Sequence, residues 1–260
     1  MSAAANGRVR IVSEARGTGR PLLLIHGLGY ARWGWDPVVD GLAARYCVIR
    51  FDNRGIGESD KPPGPYSARE LADDALRVLD EHGVERAHVV GASLGGMVAQ
   101  ELALAAPARV DRLVLACTTA GGERAAPFPP RFLTLLAEAQ TLEPAVALRR
   151  LVENSLAPGA PAELVERIYR RRLEHPPDPA GWQAQATAGT TYDGYDRIAG
   201  ISAPTLVVHG TEDNVVATEN ADILASLIPN ARVELFPGCG HLFFWEQPER
   251  FVQVVSEFLG

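Results

Sequence analysis

Apolar and polar positions follow two rhythms along this chain. The run RVRIVSEA (8–15) alternates and predicts an outer antiparallel strand. The run PLLLIHG (Pro21–Gly27) is continuously apolar, as a strand buried on both faces must be. Similar runs recur at Tyr46–Gly55, Ala87–Ser93, Arg112–Thr119, Pro204–Gly210 and Ala231–Gly238. Helix-length amphipathic stretches lie between them. In SARELADDALRVLDEHG, Ser67 and Glu70 have the spacing of a capping box, and Leu71, Ala75, Leu76 and Leu79 form one apolar stripe. Gly83 supplies the stop. The stretches GGMVAQELALAAP, TENADILASLIP and PERFVQVVSEFLG are the other helix candidates. Strand–helix alternation of this kind predicts an α/β fold with a mostly parallel sheet covered by helices.

The rhythm breaks between about Gly121 and Asp196. APFPPRF, LAPGAPAEL and HPPDPAGW are Pro-rich punctuation around helical pieces such as FLTLLAEAQ and AVALRRLVENSL. The expected organisation is a core of residues 1–120 and 196–260 with an inserted helical cap, 121–195.

Composition narrows the picture. A chain of 260 residues, 47% hydrophobic, can bury one large core with a small insertion. A formal net charge of −7 argues against a nucleic-acid partner. Cys47, Cys117 and Cys239 are widely spaced and form no CxxC pair, so neither a disulfide framework nor a zinc site is expected. The N-terminal residues lack an apolar leader core, and no apolar run is long enough to span a bilayer. A cytoplasmic chain with reduced thiols, no membrane partner, no metal and no cofactor is the expectation. The sequence is silent on oligomeric state and leaves a homodimer open.

The candidate chemistry begins at VVGASLGGMVAQ. Gly91 and Gly95 frame Ser93 where an apolar run ends and a helix begins. A serine there points into the crevice at the carboxyl edge of the sheet, beside free helix N–H groups. A nucleophile elbow of this kind is followed in the chain by an acid and then a histidine. Asp213 follows the sixth run and His241 the seventh. His241 would take the serine proton, and Asp213 would fix the imidazole tautomer. Glu212 is the competing acid, and Asp213 is preferred. In LLIHGLGY the glycines leave backbone room, and the Leu28 and Leu94 amides would form an oxyanion hole. His209 is assigned to supporting the Asp213 loop and His26 to a loop hydrogen bond. His82, His88 and His175 are given no catalytic part. Asp52, Arg54, Gly55 and Gly57 are read as a structural ion pair and turn.

The motifs HGLG, FDNRGIGESDKP, GASLGG, HGTEDNVV and GCGHLFFWEQPERF occur in this order. In that set and order the chain resembles α/β-hydrolase-fold serine hydrolases over nearly its whole length. The segment Asp52–Gln100 is similar to the 3-oxoadipate enol-lactonase and small carboxylesterase branch. Enol-lactonases often carry Ser where this chain has Gly27. The resemblance implies cofactor-independent cleavage of a small carboxylic ester or lactone through an acyl-enzyme on Ser93, with water as the second substrate. Dehalogenase and epoxide-hydrolase relatives use Asp at the elbow and are disfavoured. Carbon–carbon bond hydrolysis and perhydrolase chemistry stay open, as does a ligand-binding module without turnover. Gly27, Trp33, Trp182 and Leu242 are the candidate substrate contacts.

Overall fold

The computed structural model describes residues 8–260. The first residues, on which the expectation of no leader peptide rests, lie outside that range. Seven strands form one sheet in the order β1-β3-β2-β4-β5-β6-β7. They are β1 (Ser13–Arg16), β2 (Arg20–Ile25), β3 (Tyr46–Phe51), β4 (Ala87–Ala92), β5 (Val110–Ala116), β6 (Thr205–Gly210) and β7 (Arg232–Phe236). Strand β1 runs antiparallel to β3, and every other pairing is parallel. The alternating run and the six apolar runs thus supply the strands, although only residues 13–15 of the first fall in β1.

The continuous apolar runs divide their side chains between two layers. Leu23, Ile25, Val89, Leu113, Leu115 and Val207 pack into one core, while Leu22, Leu24, Val90, Val114, Leu206 and Val208 pack into the other. Period-two alternation sends successive residues to opposite faces, and both faces here are covered. One layer is closed by α2 (Ala68–Glu81), α3 (Leu94–Ala105) and α8 (Glu219–Leu227), the other by α1 (Asp36–Ala43), α9 (Phe243–Glu246) and α10 (Pro248–Leu259). Helix α2 carries its capping box as expected: Ser67 accepts from Glu70 N–H, and the Glu70 carboxylate accepts from Ser67 N–H. Its apolar face also takes in Ala72 and Val78, while Leu76 is only half-buried.

Between β5 and β6 lie α4 (Pro130–Ala139), α5 (Pro144–Asn154), α6 (Ala162–Glu174) and α7 (Pro179–Thr190). The first two match helical pieces legible in the sequence; α1, α6, α7 and α9 do not. Helix α6 is dominated by charge and buries only Leu164 and Ile168. Helix α7 buries Gly181, Ala184, Gln185 and Ala188, a face of small and polar residues without an apolar stripe.

The expected ion pair of Asp52 and Arg54 needs refining, since the two residues do not pair with each other. Asp52 holds Arg32 at 2.5 Å, and Arg54 grips the fully buried Asp74 with two hydrogen bonds of 2.5 and 2.8 Å. Both residues lie beyond the end of β3, and Arg54 stands in the turn that follows, so the two side chains leave the chain toward different partners.

Candidate active site

Strands β4, β5, β6 and β7 are neighbours and parallel, so the residues following their carboxyl ends gather along one edge. These residues are Ser93, Cys117, the Asp213 loop and the His241 loop. Ser93 is half-buried at the N-cap of α3 with φ 56° and ψ −121°, a left-handed conformation that costs a non-glycine residue on the order of 1–3 kcal/mol. The surroundings hold it there: its N–H donates to Ala116 O at 2.9 Å, and its carbonyl accepts from Thr118 Oγ1 at 2.7 Å. Gly95 permits the sharp turn, because a Cβ there would lie 2.1 Å from Ile25 O. Gly27 lets the preceding loop close over the serine, since a Cβ there would sit 2.9 Å from Ser93 Cβ.

The acid facing His241 is Asp213. Its Oδ2 lies 2.7 Å from His241 Nδ1, and both residues are buried. The other oxygen accepts from the Val215 and Val216 N–H groups at 2.8 and 2.9 Å. Glu212 points outward and is exposed. A second imidazole reaches the same carboxylate: His209 Nε2 lies 3.0 Å from Asp213 Oδ2 and 3.0 Å from Val216 O. Both neighbours are acceptors, so Nε2 carries the proton. Burial works to raise the Asp213 pKa, but His241, with the hydrogen bonds from His209 and His241, holds it well below the usual carboxylate range. Burial works in the opposite sense on His241, and the Asp213 charge outweighs it, setting the imidazole well above its ordinary value. With Nδ1–H pointing at the carboxylate, Nε2 is left free to exchange a proton.

The structure joins Asp213 to His241 but not His241 to Ser93. The Ser93 hydroxyl makes no hydrogen bond among the described residues. Such contacts are often long before substrate binds. The Cys117 thiol is within hydrogen-bonding reach of the His241 side chain and the Ser93 backbone. Burial pushes this thiol up, which keeps it neutral beside the imidazole. Cys117 was not among the expected site residues, although it ends a strand beside that of Ser93.

On the opposite flank runs the loop from His26 to Tyr30. Gly27 N–H donates to His26 Nδ1 at 2.7 Å, and Tyr30 N–H to Gly27 O at 3.3 Å. Burial drives His26 down to about 3, so it is a neutral acceptor. Gly29, at φ +71°, donates to Gln185 Oε1 at 3.2 Å. Leu28 N–H, between these bonded amides, has no partner among the described residues. Leu94 N–H, in the first turn of α3, lacks an intrahelical partner as all first-turn amides do. These are the two amides expected to receive negative charge.

The remaining candidates are dispersed. Trp182 of α7 packs on the His26–Tyr30 loop, its Cδ1 2.7 Å from where a Gly29 Cβ would stand. Trp33 is buried among Tyr30, His175 and Trp245, with ring centroids 5.2, 5.9 and 6.1 Å away. Leu242 is buried beside His241, and its N–H donates to Ser155 O at 2.9 Å. Among the described residues, no group of three or more His, Cys, Asp or Glu side chains could hold a metal ion. No helix among them is long and apolar enough to cross a membrane.

Comparison with known proteins agrees with this fold. A family model described as the alpha/beta hydrolase fold matches residues 20–248. RutD of Azorhizobium caulinodans, provisionally named a carbamate hydrolase, is 34% identical over 100% of this chain and 98% of its own length. The pimeloyl-[acyl-carrier protein] methyl ester esterase of Nitrosomonas europaea is 33% identical, covering 92% of this chain and 95% of that protein. The crystal structure of the enol-lactonase from Burkholderia xenovorans LB400 superposes with a TM-score of 0.85 at 28% identity, covering 99% of this chain and 98% of the other.

Proposed function

The chain belongs to the alpha/beta hydrolase fold family, and we propose that it hydrolyses a small carboxylic ester or lactone through an acyl-enzyme on Ser93. The observation that carries this reading is the buried 2.7 Å pair of His241 and Asp213 on the sheet edge from which the strained Ser93 rises. The ester and the lactone in the names of two relatives share one feature, an acyl–oxygen bond.

In this reading Ser93 Oγ attacks the carbonyl carbon while its proton passes to His241 Nε2. The carbonyl oxygen gains negative charge beside the Leu28 and Leu94 amides, donors that need no reorientation during the reaction. Asp213 stabilises the imidazolium and holds its tautomer. His241 then protonates the departing alkoxide, and water, deprotonated by the same nitrogen, releases the acid. For a lactone the alkoxide stays tethered to the acyl group, and one hydroxy acid is the product. Residues 121–195 act as a cap over the site, with Trp182 and Leu242 as walls of the acyl pocket.

The test is a panel of p-nitrophenyl esters, lactones and thioesters, assayed with the wild-type chain and with Ser93→Ala. The expected outcome is turnover of at least one ester or lactone, reduced about 10⁴-fold or more in a variant of unchanged thermal stability. Esterase activity retained in Ser93→Ala counts against the reading.

A further inference from the structure

Both polar groups of the Gly29 backbone are occupied by side chains of the insertion. Gln185 of α7 accepts from Gly29 N–H at 3.2 Å, and Arg172 of α6 donates from Nη1 to Gly29 O at 2.7 Å. Gln185 is fully buried, and its Nε2 donates to Arg54 O at 2.8 Å, so one amide bridges two loops of the core. The Arg172 guanidinium also lies 4.5 Å over the Tyr30 ring.

The peptide plane makes this consequential. The Gly27–Leu28 peptide is anchored at its carbonyl by Tyr30 N–H, and a trans planar peptide points its N–H the opposite way. The Leu28–Gly29 peptide that follows is anchored at its N–H by Gln185. With both planes flanking the Leu28 Cα fixed, the direction of the unpartnered Leu28 N–H is fixed too. No residue of the core makes the second of these bonds.

We propose that Gln185 is a positioning residue for the oxyanion hole, aided by Arg172, so that the insertion sets the reactivity of Ser93 as well as covering it. This rests on the acyl-transfer reading above and adds to it a split between rate and binding. A donor off target weakens the transition state, in which the oxygen is charged, far more than the neutral substrate.

The experiment uses Gln185→Met, which keeps the volume and loses both hydrogen bonds, and Arg172→Met, in a less buried position. Rates are expressed per active site titrated with a fluorophosphonate, so misfolded protein does not enter kcat. The expected result for Gln185→Met is kcat lowered about 10- to 100-fold with KM within about twofold. The inhibition constant of an aryl trifluoromethyl ketone, whose hemiketal oxygen occupies the hole, rises by the same factor as kcat falls. Arg172→Met shows the same pattern at smaller amplitude, and Arg172→Lys restores part of it. Unchanged kcat and ketone affinity in both Met variants overturn the proposal, as does a loss confined to KM. A wild-type chain that neither turns over the panel nor reacts with the fluorophosphonate at Ser93 overturns the acyl-transfer reading instead.

Discussion

Two arms meet near Ser93, and they are held by different forces. The acid–base arm is electrostatic: one buried carboxylate takes hydrogen bonds from His241, His209 and two backbone amides. Its residues come from the loops after β6 and β7, so the core sheet builds it. The oxyanion arm has no ionised group directed at substrate. In the proposed reading it consists of the Leu28 and Leu94 amides, and the loop that carries Leu28 is tied at Gly29 to a buried glutamine and an arginine of the insertion. The insertion touches the first arm through the Asn154 side chain, which donates to Asn214 O at 3.0 Å, and through backbone contacts: Leu242 N–H to Ser155 O, and Ala157 N–H at 2.9 Å to Glu246, which also accepts from Gly240 N–H at 2.7 Å. Charge set by burial answers to pH; a neutral amide held by hydrogen bonds does not. The two arms therefore separate experimentally, since damage to one moves a pH profile and damage to the other moves only a rate.

The sharpest break comes from Asp213→Asn. Turnover is expected to fall about 10⁴-fold, because the amide presents the wrong hydrogen-bonding face to the imidazole. The acid limb of kcat/KM moves as well. His241 must be neutral to act as a base, so activity rises as pH climbs through its pKa. Asp213 holds that pKa high against burial, with Cys117, Tyr30 and the neutral His26 also near the ring. Losing the carboxylate therefore shifts the acid limb to lower pH, and a limb that stays in place or moves up contradicts the electrostatic account.

A smaller break comes from His209→Leu. A hydrogen bond to a charged group is worth about 1.5–3 kcal/mol, so kcat/KM is expected to fall about 10- to 100-fold. With one donor gone, the remaining charge on Asp213 Oδ2 acts on His241 alone, and the acid limb moves to higher pH, opposite to the shift in Asp213→Asn. His209→Gln, whose Nε2 can donate to the same oxygen, recovers most of both effects. A limb unmoved in His209→Leu reduces His209 to packing. The smallest pH effect is expected in Gln185→Met: whatever its rate, its acid limb coincides with that of the wild type. A displaced limb there erases the distinction between the arms.

The core was legible in the sequence because its physics is local. Strands covered on both faces must be largely apolar, as β4 is with Ala87, Val89, Val90 and Ala92, and Ser67 with Glu70 announces α2 three residues apart. Ser93, Asp213 and His241 were legible because a parallel sheet collects residues at strand ends, so their order and position implied proximity. The choice of Asp213 over Glu212 follows from loop geometry: Glu212 N–H is tied to Cys239 O at 2.8 Å, which brings the next side chain inward. Gln185 carried no such signal. Its partners are backbone atoms 156 and 131 positions away, and any sequence offers backbone atoms. Helix α7 was invisible for the same reason, since its buried face of Gly181, Ala184 and Ala188 fits against glycine-bearing loops, as where a Cβ on Gly181 would lie 2.0 Å from Gly55 O. Small residues chosen for close approach produce no hydrophobic period.

The central claim is that Ser93 is made nucleophilic by His241. It is tested most directly by reacting the chain with a fluorophosphonate and mapping the adduct by mass spectrometry, in the wild type and in His241→Ala. The account predicts one adduct per chain, on the peptide that carries Ser93, formed about 10³-fold or more slowly without the imidazole. An adduct on any other residue, or labelling of His241→Ala at the wild-type rate, contradicts it.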